Sequence, residues 1–269
     1  MLSVLISVMI GLLTGGGLFL ADVLGWGWSL FTGLLGFGVS QFVMGRILQK
    51  RVKAAMESVQ VVLAEGQKKL QAKTARWQLR PPGSLQAAQQ EIARDQKVFV
   101  TEALARTDAL LPFKPWVPLM ERQIATAKFQ LYWMIKDFKH VDELMPKVLF
   151  LDPTMTAMKL ARLYMLERPT DEITKVYEKA VRRVRYNQNV LLAATYAWIL
   201  LRRNEVDGAF KALNRALEKS DNDTLKANRD HLANNRLAHF SNAALGEQWY
   251  ALLLEEPKIR QPRQRMQWR

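Results

Sequence analysis

The first 45 residues of this chain carry a single ionisable side chain, that of Asp22. A helix needs about 20 apolar residues to cross a hydrocarbon layer of roughly 30 Å, and residues 2–21 and 28–45 supply two such stretches, the second slightly short. Residues 22–28 include two glycines, which permit a tight turn, and two tryptophans, which suit a membrane–water interface. The sequence therefore predicts a hairpin of two membrane helices over residues 1–45.

A cluster of basic residues follows this apolar region at once and predicts its orientation. Lys and Arg next to a membrane segment favour the cytoplasmic side, so the rest of the chain is expected in the cytoplasm, at a bacterial inner membrane. A cleaved signal peptide is a weaker alternative, because nothing basic precedes the apolar region. A single bent or re-entrant segment is another. The residues expected at the membrane surface are Arg46, Lys50, Arg51 and Lys53.

Glycines recur at close spacing in both apolar stretches. Gly11 and Gly15 lie four residues apart, and Gly33 and Gly36 lie three apart. Small residues let membrane helices approach closely. We interpret them as packing the hairpin against itself, with a contact between copies of the chain as the alternative.

Composition excludes several classes of site. The 269 residues include no cysteine, which rules out disulfides, thiolate metal sites and cysteine nucleophiles. The net charge of +14 is unevenly spread: residues 46–80 hold nine basic and two acidic side chains, and residues 257–269 hold five basic and none acidic. The basic excess thus lies at the predicted membrane exit and in a tail that we expect to be disordered.

Residues 46–80 form a predicted long helix that continues from the second membrane segment. This stretch has no proline, and its apolar residues alternate steps of four and three, as in a heptad seam. The helix could pack on the body of the same chain, or it could lie against anionic lipid headgroups or pair with a second copy. The members of the seam are Leu48, Val52, Ala55, Val59 and Val62.

The remaining chain reads as helices separated by short turns. Residues 81–83, Pro-Pro-Gly, break the long helix, and Ser84 can cap a following helix that extends to about residue 111. A proline-rich break covers residues 112–118, and no strand-like alternation follows before residue 256. The expected fold class is all-α.

Three stretches of this region align with one another around Tyr132, Tyr164 and Leu200, at spacings of 32 and 36 residues. In their second helices three columns of apolar residues coincide: Val141, Ile173 and Ala209; Met145, Tyr177 and Leu213; Val148, Ala180 and Ala216. The pattern resembles the tetratricopeptide repeat, a helix–turn–helix unit of about 34 residues. Small residues let paired helices approach, and units of this kind stack into an array. An irregular helical bundle is the alternative.

The resemblance implies a tetratricopeptide-like α-solenoid over residues 84–256 with a groove for a protein or peptide partner. Several inward-facing candidates are basic, which favours an acidic partner segment. The candidate partner-binding residues are Gln130, Trp133, Lys159, Arg162, Tyr196 and Arg203.

No catalytic, cofactor or metal motif stands out. The three histidines, His140, His231 and His239, are not spaced as metal ligands, and no phosphate-binding loop, nucleophile elbow or HExxH sequence occurs. We therefore expect no enzyme activity and no cofactor. The leading hypothesis is a membrane-anchored scaffold or adaptor for protein–protein interaction. The alternatives are a structural protein that assembles with copies of itself, and a basic protein that binds anionic lipid, with nucleic acid a less favoured ligand.

Overall fold

The computed structural model describes residues 2–23, 25–79 and 83–257. At residues 78, 79 and 85 it describes the backbone alone. Within these residues every regular element is helical, which confirms the all-α expectation. The chain divides into two compact units, residues 1–149 and residues 150–269. This boundary lies inside the segment 84–256 that the sequence suggests as one repeat domain.

Two helices dominate the first unit. Helix α1 covers Leu2–Leu20, and helix α2 covers Trp26–Leu79, 54 residues without a break. At 1.5 Å per residue α2 is about 80 Å long. By length and composition both helices could cross a membrane. The predicted segment 28–45 and residues 46–79 of the predicted segment 46–80 form one continuous helix.

Glycines bring α1 and the beginning of α2 together in antiparallel fashion. A Cβ atom on Gly11 would lie 2.8 Å from the carbonyl oxygen of Gly33, and one on Gly15 would lie 2.6 Å from that of Ser29. A Cβ atom on Gly36 would lie 2.6 Å from a side-chain atom of the opposite helix. No larger residue fits here without a shift, so these glycines pack the two helices against each other within one chain.

The continuation of α2 packs on the rest of the first unit. Helix α3 covers Leu85–Thr107, and the Ser84 hydroxyl caps it by accepting a hydrogen bond from the Ala87 backbone, 3.1 Å away. Helices α4, Met120–Met134, and α5, Phe138–Leu144, follow a 3-10 turn. One buried cluster joins α2, α3 and α4 through Val59, Phe99, Val100, Ala103 and Leu131.

The predicted heptad seam packs within this unit from Val52 to Val62. Val59 is buried in the first cluster and Val62 is partly buried against it, while Val52 and Ala55 are partly buried against a second cluster formed by Leu110, Met120 and Ile124. This part of the seam thus contacts the body of the same chain.

The second unit consists of short helices joined by tight turns. They are α6, Pro153–Met165; α7, Thr170–Val181; α8, Val190–Arg202; α9, Val206–Leu217; α10, Asp223–Ala233; and α11, Glu247–Tyr250. All ten residues from Leu191 to Leu200 are buried, so α8 is covered on every side. The small residues predicted to permit close helix approach, Ala209 and Ala216 in α9, are also buried.

Four of the described helices end in the same way. After α4, α6, α8 and α10 one residue adopts a left-handed conformation, and the amide of the next residue donates to a carbonyl five positions back. This is the Schellman arrangement, which satisfies carbonyls at a helix end. The left-handed residues are Lys136, Glu167, Asn204 and Asn235. These residues are 31, 37 and 31 positions apart, whereas the repeat alignment has spacings of 32 and 36, and tetratricopeptide membership stays a prediction.

Candidate functional site

The surface of α1 and of the first part of α2 is apolar and exposed. Leu12 and Leu13 are 68% and 70% exposed, and Phe31, Leu34 and Phe42 are more than half exposed. A contiguous exposed apolar surface of this kind marks a membrane or a protein contact. Asp22, the one charged residue of the first 45, lies in the turn between the helices with φ of 54°.

The hydroxyl groups of this region are satisfied internally. Ser3 and Ser7 are buried, and Ser7 donates to the Gln41 side chain across the helix pair at 2.8 Å. Thr14 and Thr32 donate to carbonyls of their own helices. Hydroxyls paired in this way tolerate an apolar surrounding, because no donor is left without an acceptor.

The first turn of α1 is fastened to a loop that precedes α4. The Leu2 amide donates to the Pro115 carbonyl at 2.8 Å, and the Ser3 hydroxyl donates to the Trp116 carbonyl at 2.7 Å. The same loop exposes Leu119, which is 59% accessible in a left-handed conformation. An exposed leucine and a tryptophan therefore lie beside the point where α1 begins.

The sequence indicates only a stiff break at residues 112–118, and the role of this loop is not predicted. The available signal is a tryptophan between two prolines, preceded by Lys114, which is typical of a membrane-interface segment. The contact with α1 cannot be read from the sequence, because Ser3 and Trp116 are 113 positions apart.

The four basic residues predicted at the membrane surface are all exposed on α2. Positions 46, 50 and 53 share one side of the helix, because they are separated by steps of four and three. The guanidinium of Arg46 lies 4.9 Å from the centre of the Phe42 ring, and Lys53 makes only a long ion pair, 3.8 Å, with Glu57. Positive charge is therefore accessible directly beyond the uncharged part of α2.

The six candidate partner-binding residues are divided between the two units, with two in the first and four in the second. The structure places the side chains of two of them, Trp133 and Tyr196, in buried positions. Trp133 is 3% exposed and stacks on Phe129, and Tyr196 is 7% exposed and stacks on Tyr177 with ring centres 3.9 Å apart. Both rings fill helix interfaces.

The side chains of the other four candidates are more accessible to solvent, but they differ in the contacts that they make. Gln130 is exposed on α4, and Arg162 is partly exposed on α6. Lys159 lies over the Phe150 ring at 4.7 Å, and burial together with the charge of Lys179 lowers its pKa. Arg203 donates to the Thr170 hydroxyl at 2.8 Å, which ties the end of α8 to the start of α7.

One face of α8 is covered by the chain's own C-terminal segment, residues 246–256. The Trp198 indole donates to one carboxylate oxygen of Glu255 and the Trp249 indole donates to the other, both at 2.8 Å. Arg202 lies 3.7 Å from the same carboxylate and 4.9 Å from the Trp198 ring. Trp249 and Leu252 are fully buried. The repeat alignment does not predict this packing.

Polar side chains fasten the stretch before that segment to the same helices. Asn242 donates to the Ala194 carbonyl at 3.1 Å and accepts from Asn228 at 2.8 Å. Because Ala194, Trp198 and Arg202 follow steps of four on α8, the segment runs along one continuous stripe of that helix.

Within residues 2–23, 25–79 and 83–257 no three metal-ligating side chains of His, Asp or Glu come together. His140 pairs with Asp137 at 2.8 Å, and the rings of His231 and His239 lie 5.5 Å apart.

Comparisons with protein-family models, with curated proteins and with solved structures found no match to this chain.

Proposed function

We propose that this protein is a membrane-anchored scaffold or adaptor that presents a helical body on the cytoplasmic side of a bacterial inner membrane. One observation carries the proposal: α2 runs without a break from an exposed, uncharged stretch into a stretch that is packed on the body. One continuous helix, α2, thus belongs both to the proposed membrane anchor and to the packed helices of the first unit.

The hydrogen bonds at the start of α1 support the two-helix anchor. Leu2 and Ser3 contact the loop at residues 115–116, and Met120 in the adjacent helix packs on Val52 and Ala55 of α2. The start of α1 and the continuation of α2 therefore lie at the same end of the helix pair. In the proposed topology both segments cross the membrane, with the basic residues on the cytoplasmic side.

The second unit is the proposed partner-binding part. Support comes from the repeat alignment, from the recurrent helix ends, and from the manner in which α8 holds residues 246–256. That stripe accommodates an aromatic ring and a carboxylate beside Arg202. A partner segment with the same chemistry, acidic and aromatic, is the one we expect this unit to bind, in exchange with the chain's own segment.

The membrane topology is the direct test of this proposal. Because the sequence has no cysteine, an introduced cysteine would supply the only thiol for labelling. Gly25 and Gly83 are both exposed, and a Cβ atom on either would meet nothing within 4 Å among the described residues. In intact cells a membrane-impermeant maleimide should label Gly25→Cys, whereas it should label Gly83→Cys only after the cells are opened. Labelling of Gly83→Cys in intact cells, or extraction of the protein by alkaline carbonate, would contradict the proposal.

A further inference from the structure

A crevice of about 570 Å³ opens within the first unit, at the end of the helix pair where α1 begins. This size falls in the usual range of small-molecule sites. Three parts of the unit form it: the first turn of α1, one face of α2, and the loop before α4. Its lining includes Ser3, Gln41, Gly45, Gln49, Lys53 and Trp116.

The walls combine apolar surface with polar groups that are free to bind. Leu48, Val52 and Val117 supply apolar surface. Gln41 accepts a hydrogen bond from Ser7 through its oxygen, and among the described residues nothing accepts from its amide nitrogen. The side-chain amide of Gln49 likewise has no hydrogen-bond partner in the part of the chain that the structure describes. The crevice therefore offers unused donors beside an apolar wall.

The crevice spans the change from uncharged to basic sequence on α2. It extends from Gln41 to Lys53, twelve residues, or about 18 Å along the helix axis. The Gln41 end lies in residues 23–45, which hold no charged side chain, and the Lys53 end carries an ammonium group with a long ion pair to Glu57. A ligand with an apolar part and one anionic end fits this lining.

We propose that this crevice binds one anionic glycerophospholipid, an inference that rests on the proposed membrane insertion. The headgroup phosphate lies at Lys53, the glycerol and ester oxygens accept from the amide of Gln49, and an acyl chain extends along α2 past Gly45 toward Gln41. Trp116 closes the side formed by the loop. The bound lipid thereby contacts α1, α2 and the loop at once.

Gly45 allows the crevice to be filled without disturbing the packing. A Cβ atom there would meet no described atom within 4 Å, and the same is true of Gly38, which does not line the crevice. Gly45→Phe is therefore the blocking variant and Gly38→Phe its control. Lys53→Gln removes the proposed phosphate contact, and Lys68→Gln, at an exposed position outside the crevice, is its control.

The experiment is native mass spectrometry of the full chain, purified in detergent, delipidated and then supplied with phosphatidylglycerol or phosphatidylcholine. We expect the parent and both controls to retain one phosphatidylglycerol. Removal of a charge-assisted hydrogen bond should lower the retention by about tenfold or more in Lys53→Gln, and Gly45→Phe should abolish it. Glycerol 3-phosphate added in excess should not displace the lipid, because the acyl chain supplies part of the contact.

Three outcomes would overturn the lipid site: equal retention of phosphatidylcholine, unchanged retention in Gly45→Phe, or displacement by glycerol 3-phosphate. These results are distinguishable from failure of the proposed function. A parent protein that resists alkaline carbonate extraction but retains no lipid refutes only the crevice, whereas a parent that is extracted refutes the membrane anchor itself.

Discussion

The ring of Phe99 lies on the backbone of Gly66, at a point where a Cβ atom on the glycine would come within 2.3 Å of the ring. Glycine inside a helix is unfavourable by roughly 1 kcal/mol relative to alanine. Here the missing side chain lets α3 approach α2, and Phe99 belongs to the cluster that holds these helices to α4. The glycine therefore serves the packing of these helices rather than flexibility.

We expect Gly66→Ala to destabilise the first unit by about 1–3 kcal/mol, because overpacking outweighs the gain in helix propensity. Gly45→Ala on the same helix is the matched control, since a Cβ atom there meets open space. It should leave the thermal midpoint unchanged or raise it. Thermal unfolding of the full chain in detergent gives the midpoint of each variant. Equal midpoints for Gly66→Ala and Gly45→Ala would contradict the packing of Phe99 on Gly66.

Gly66 shows which part of the packing can be predicted from the sequence and which part cannot. It is the one glycine in residues 46–80, and the heptad seam beside it correctly marks the buried face of the helix. The partner of that face, however, lies 33 residues further along the chain. Local periodicity identifies an apolar stripe, but it does not say whether the stripe meets its own chain or a second copy.

The candidate groove is harder to predict for a related reason. In α8 nearly every position is apolar, so periodicity cannot separate a groove face from an interface. The repeat register predicts an inward-facing Tyr196, yet its ring stacks on Tyr177 and its hydroxyl lies 2.8 Å from that of Thr174. Burial raises the pKa of the Tyr196 phenol, as expected for a ring enclosed between helices.

The seam between α1 and α2 provides a second prediction. Gly15→Leu should separate the two helices, because a Cβ atom there already meets Ser29 and Gly33. Gly16→Leu, one residue further, projects into open space and should be tolerated. Resistance of the helix pair to protease in detergent measures the difference. Equal resistance of the two variants would contradict the close approach of α1 and α2.

The alanines of α9 provide a third prediction. Ala209 and Ala216 are 0% and 2% exposed, so a tryptophan at either position should destabilise the second unit by about 1–3 kcal/mol or more. Lys211→Trp, at an exposed position of the same helix, should have little effect. Chemical denaturation followed by circular dichroism provides the comparison. Equal midpoints for all three variants would place these alanines outside the helix contact.

The carboxylate of Glu255 provides the last prediction. It accepts from two indoles, and Glu255→Gln would leave only one oxygen while placing an amide donor opposite an indole donor. Loss of a hydrogen bond to a charged group costs about 1.5–3 kcal/mol. We therefore expect residues 247–254 to exchange amide hydrogens at least about tenfold faster, since Trp249 is held to α8 by this carboxylate.

Glu256→Gln is the matched control, because Glu256 is exposed and adjacent and carries the same charge. It should leave exchange in the segment unchanged, and exchange in α10 should be unchanged in both variants. An acidic, aromatic peptide with the sequence of residues 246–256 should bind the Glu255→Gln protein more tightly than the parent, because the chain's own segment competes less well. Equal protection of residues 247–254 in both variants would show that the carboxylate does not hold the segment on α8.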